Sequence, residues 1–203
     1  MPTYPLTFPA EPGLEDAQIK LVRATKVSQS PFTGATKKAE TPFNLWSVSA
    51  TVPIIGGDEA AARDWRAFIL ELHGQSGTFK LPVPGVTGPS TGYTGSEGLV
   101  NGASQLGGTV ITDGWATSTL ILNRGDFFML GTELKMCMSP ATTDGTGAVT
   151  ITFEPVIATS PADNSTVTVF NPYSIMRMAT DDIGWSLKSP VLHKFSFQAI
   201  EDF

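Results

Sequence analysis

KVSQSPFTGATKKAETPFNLWSVSATVPI, residues 26–54, holds two strand-like runs around one short turn. Pro31 fixes one φ of that turn, and Gly34 supplies a permissive one. On the return side Trp46, Val48, Ala50 and Val52 point one way while Leu45, Ser47, Ser49 and Thr51 point the other. That period of two is what a half-buried strand requires. The outgoing partner is QIKLVRATKVS, residues 18–28, which alternates less regularly. The stretch therefore reads as a long hairpin with one core face, and it places the chain in the mainly β class.

Residues 1–13 carry four prolines, Pro2, Pro5, Pro9 and Pro12. Missing amide donors favour an extended arm there over a paired strand. After the hairpin comes GGDEAAARDWRAFILELHGQSG. Here Asp58 can cap a first turn, Glu59 suits the positive end of a helix, and Gly74 can take the left-handed stop. Ala61, Trp65, Phe68, Ile69 and Leu72 form one stripe of an amphipathic helix. TFKLPVPG then ends a short strand, and residues 85–104, rich in Gly, Ser, Thr and Pro, read as a linker.

From residue 105 the character changes. The runs TVIT, STLIL, DFFMLG, ELKMCMS, AVTITFEP and TVTVFN recur with turn signals between them, the pattern of a small barrel or sandwich. In the last stretch Phe195, Phe197 and Ala199 alternate with Lys194, Ser196 and Gln198, and these strands need a sheet to join. The expected architecture is a discontinuous β domain over 1–84 and 185–203, with a small β-barrel over 105–184 inserted into it.

Composition excludes several functions. The 203 residues are 41% hydrophobic and 16% charged, an ordinary globular balance, and the net charge of −6 offers no basic stripe for nucleic-acid phosphates. The start, MPTYPLTFPAEPG, lacks the basic and apolar regions of a secretory leader, and no apolar run approaches the ~20 residues that span a bilayer. The sequence predicts a chain made in the cytoplasm of its host cell and kept soluble. Cys137 is the only cysteine and reads as a buried, inert thiol.

Chemistry-bearing residues are sparse. His73 falls at a helix end, where its charge suits the dipole, and His193 opens the last strand in a solvated or hydrogen-bonded structural role. GGDE (56–59) resembles a cyclic-dinucleotide synthase signature, but it opens a helix here instead of sitting on a hairpin. Asp181 and Asp182 form an acidic turn without further carboxylates at calcium-loop spacing. A hydrolase would have to work with those two alone. Asn164-Ser165-Thr166 fits a glycosylation acceptor, but its use needs a secretory route that the sequence does not signal. No catalytic residue, metal site or cofactor is expected, and the hairpin must serve recognition or assembly.

The order of the segments VSQSPFTG, WSVSATVPI, EAAARDWRAFILELHGQSGTF, LVNGASQLGGTVITDGW, SPADNSTVTV and FSFQAIEDF resembles the distal tail proteins of long-tailed bacteriophages. The resemblance covers nearly the whole chain and rests on order, length and these phrases. It implies a structural virion protein forming a ring, usually a hexamer, at the tail tip. The ring domain would combine a β-sandwich, a helix and a long hairpin, and the insert would resemble an oligonucleotide/oligosaccharide-binding barrel. Implied partners are other copies of the chain, the tail tube protein above, and the hub with receptor-binding or fibre proteins below. DNA would pass the lumen without specific binding. Ser30, Pro31, Phe32, Thr33 and Gly34 would then be an assembly element with Phe32 as its apolar anchor, unless Phe32 folds back on its own core. A second reading is a carbohydrate-binding module for host-surface polysaccharide, which would use exposed aromatics such as Trp115 or Tyr173.

Overall fold

The computed structural model describes residues 2–56, 60–188 and 192–203. In chain order the first part holds β1 (Leu6–Thr7), β2 (Asp16–Gln29), β3 (Thr36–Gly56), α1 (Ala60–Glu71) and β4 (Thr78–Pro82). The middle holds β5 (Gly98–Val100), β6 (Gly107–Asp113), β7 (Leu120–Leu122), β8 (Phe127–Leu130), β9 (Glu133–Cys137), β10 (Ala141–Thr142), β11 (Val149–Ile157) and β12 (Thr166–Thr168). The chain closes with β13 (Tyr173–Met178), β14 (Trp185–Lys188) and β15 (Leu192–Glu201). It is mainly β, with one long helix among the described residues.

Seven strands form one sheet in the order β1-β4-β13-β15-β3-β2, with β14 also pairing β15. The parity expected of the hairpin holds: Trp46, Val48, Ala50 and Val52 of β3 are buried, as are Phe195, Phe197 and Ala199 of β15. Helix α1 covers this face with Trp65, Phe68 and Ile69, and Trp65 stacks on Phe195 at 5.8 Å. Offset and edge-on ring pairs of this kind add to what burial alone contributes. The proline-rich arm docks on the same core. Phe8 lies edge-on to Trp65 at 5.1 Å and stacks on Phe79 at 6.0 Å, while pairing of the arm is limited to Leu6 and Thr7 against β4.

Six strands close a barrel in the order β11-β6-β5-β12-β8-β9, and β9 returns to β11. The pairing shifts the expected boundaries. β5, placed by sequence in the linker, is a barrel strand, and β13, placed in the insert, pairs β4 and β15 in the large sheet. The barrel strands thus run from Gly98 to Thr168, between two strands that are themselves neighbours. Chain exit and return are bonded together, since Val83 N–H donates to Pro172 C=O at 3.0 Å and Asn171 N–H to Thr87 C=O at 3.0 Å. An insertion with adjacent ends leaves the host sheet intact.

Trp115, considered above as a saccharide contact, is instead a barrel-core residue. It is buried, its indole N–H donates to Thr112 Oγ1 at 2.8 Å, and its ring lies over Gly98. A Cβ at position 98 would run into the indole ring. Gly98→Ala is expected to cost about 1–3 kcal/mol through this overpacking, read as a lowered thermal midpoint with altered tryptophan fluorescence. An unchanged midpoint would mean the indole moves freely.

Candidate functional site

The hairpin owes its shape to a change of register. β2 and β3 pair continuously from Asp16↔Thr51 to Arg23↔Asn44, and resume at Thr25↔Glu40, so three residues of β3 face one of β2. A bulge of this kind bends and re-aims a hairpin. Arg23 clamps the bend, with one guanidinium nitrogen 3.0 Å from Glu40 and the other 3.3 Å from Glu154 of the barrel. Beyond it, residues 24–29 and 31–40 are exposed on both faces. A bare two-stranded ladder is marginal by itself, so this one persists as a continuation of the sheet.

Ser30 organises the tip. Its N–H donates to Ala35 C=O at 2.9 Å, its C=O accepts from Gly34 N–H at 3.0 Å, and its hydroxyl oxygen accepts from Phe32 and Thr33 N–H. Gly34 takes φ +69°, a left-handed value that favours glycine. Pro31 and Phe32 are thereby held outward, and Phe32 is 94% exposed. The structure does not fold Phe32 back on the core. A large apolar ring presented on an ordered tip is the usual form of an interface anchor.

A second feature, missed in the sequence, joins barrel to sheet. Glu201 of β15 is buried, its Oε2 accepting from Trp46 N–H at 3.1 Å and its Oε1 from Leu134 N–H at 3.1 Å. Trp46 Nε1–H in turn donates to Leu134 C=O at 2.8 Å. Beside it on β9, the buried Lys135 ammonium pairs with the Glu133 carboxylate and donates to Val156 C=O at 2.9 Å. Glu133 also accepts from Ala158 N–H at 3.0 Å and Thr159 N–H at 2.7 Å. These groups have their partners inside the protein and hold parts together.

Burial pushes the Glu201 carboxyl above its ordinary value, and the Glu133 charge adds to this; the Trp46 and Leu134 amides and the Lys135 ammonium oppose it. A raised folded-state value gives a stability contribution that is full below the unfolded carboxyl value and lost as pH rises through the folded one. The stability of wild type relative to Glu201→Gln should therefore shrink as pH rises from about 4.5, followed by urea unfolding at each pH. A difference that grows with pH would contradict this.

Asp181 Oδ1 accepts from Gln75 N–H at 2.9 Å and so caps the 3-10 turn Gly74–Ser76, while Asp182 is exposed. His73 lies past the last turn of α1, takes φ 49° and itself begins the left-handed stop that Gly74 continues. His193 is buried and stacked on Phe195 at 6.2 Å, with no partner for Nδ1 among the described residues, so the ring is a core residue and not a solvated one. Tyr173 is half-buried, and the Lys80 ammonium lies 5.0 Å over its ring, so that face is already used. Cys137 is buried, which raises its thiol, and Sγ meets Ser139 C=O at 2.9 Å. Asn164 adopts φ 60° in a turn. Gly57, Asp58 and Glu59 of the GGDE motif, including the expected helix cap, lie outside the described residues. Among the described residues no His, Cys, Asp or Glu group is placed to hold a metal ion, and no helix is long and apolar enough to cross a membrane.

No known protein family has a sequence profile that matches the chain, and no curated protein matches it significantly.

Proposed function

We propose that this chain is a non-enzymatic structural protein of a phage tail, a distal tail or baseplate subunit that assembles head to tail into a ring at the end of the tail tube. The observation that carries the reading is the hairpin beyond Arg23, a paired ladder exposed on both faces with Phe32 94% exposed at its tip. Such an element contributes nothing to its own core, and its geometry suits a partner. Heterologous contacts that close by rotation make rings, and β2, at the end of the sheet order, offers an open strand edge for the same purpose. The segment order that resembles distal tail proteins supplies the setting: tube protein above, hub and receptor-binding parts below, DNA passing through. A net charge of −6 accords with a lumen that repels DNA.

Immunogold labelling of virions that encode this chain tests the placement. Label confined to the far end of the tail is expected. Label along the whole tail, or none on the particle, would overturn it. The carbohydrate-binding reading has less support, since Trp115 is buried and Lys80 lies over one face of the Tyr173 ring.

A further inference from the structure

Between the N-terminal arm and α1 lies a cleft of about 830 Å³. Its floor is apolar, built from Leu6, Phe8, Ala61 and Phe68. Its rim carries three carboxylates, Glu11, Asp64 and Glu71, and among the described residues none of them is ion-paired. The hairpin has the opposite character. Residues 24–39 include Lys26, Lys37 and Lys38 and no carboxylate, in a chain whose net charge is −6. Apolar Phe32 and Val27 project from it, both exposed.

Within one molecule, no hydrogen bond or ion pair among the described residues links this hairpin to the cleft. At about 3.4 Å per residue the run from Ala24 to Ser30 extends roughly 20 Å, enough to cross a subunit boundary. We propose that the cleft receives the hairpin of a second copy of this chain. Phe32 then lies on the apolar floor, and Lys37 and Lys38 face Glu11, Asp64 and Glu71. The two surfaces are different patches of one chain, so the contact is heterologous and repeats from copy to copy. The proposal rests on the assembly reading above and names the surface that reading lacks.

Charge reversal followed by sedimentation velocity over a range of concentrations tests it on the full chain. Asp64 and Glu71 are exposed on a helix, so Asp64→Lys with Glu71→Lys should leave the thermal midpoint unchanged. That pair, and separately Lys37→Glu with Lys38→Glu, should each weaken self-association about tenfold or more. All four substitutions in one chain should recover most of the loss. If the cleft variant associates like wild type while the hairpin variant does not, the cleft is the wrong surface and the assembly reading stands. If wild type stays monomeric throughout, and forms no ring when tail tube protein is supplied, both fail.

Discussion

Lys135→Met is expected to lower the unfolding free energy by about 3–5 kcal/mol, because it leaves the Glu133 carboxylate buried without its cation. Glu133 is 2% exposed, so water cannot replace the ammonium. It would keep the Ala158 and Thr159 amides, which is why the loss stops short of the full desolvation cost. The two side chains stand two residues apart on β9 and fasten that strand to the end of β11, so the barrel should loosen as a unit. Adding Glu133→Gln to Lys135→Met should return about 1–3 kcal/mol, since the unpaired charge is gone. Urea unfolding of the wild type, both single variants and the double variant measures the coupling. A single substitution costing under about 1 kcal/mol would show that water reaches the site.

The second large effect is on assembly, with stability nearly untouched. Phe32→Asp removes an apolar ring that is 94% exposed, and Ser30 and Gly34 keep the tip intact without it. The monomer's unfolding free energy should therefore change by no more than about 0.5 kcal/mol. Self-association should weaken about a hundredfold, the scale of an aromatic anchor lost from an interface. Sedimentation velocity and thermal unfolding on the same samples separate the two. Equal losses in both would mean that Phe32 packs within its own molecule.

Much of this was legible because period and turn chemistry are local. The inward series of β3, the stripe of α1 and the Ser30–Gly34 turn were all predictable from spacing. β13 escaped notice because its core-facing positions are Ser174, Met176 and Met178, none a typical strand former. What recruits it is tertiary: the Ser174 hydroxyl lies 3.4 Å from Glu201, and both flanking strands are distant in sequence. β5 was hidden in the same way by its glycine, which is there to admit the Trp115 ring. The buried charges did leave a signal. Glu201 continues the inward parity of Phe195, Phe197 and Ala199, and Glu133 and Lys135 share parity with Cys137. A charge at a core-parity position implies a buried partner, but its identity depends on the barrel meeting the sheet, which spacing within one strand does not encode. The hairpin's outward aim was likewise illegible, since it follows from the register change after Arg23 and the reach of Glu154 from the barrel.

The most direct test of the assembly claim is the native mass of the purified chain by light scattering at several concentrations, with electron microscopy of the same samples. The expected result is a concentration-dependent rise to closed rings of hexamer size. A chain that stays monomeric at every concentration, and forms no ring when tail tube protein is supplied, would contradict it.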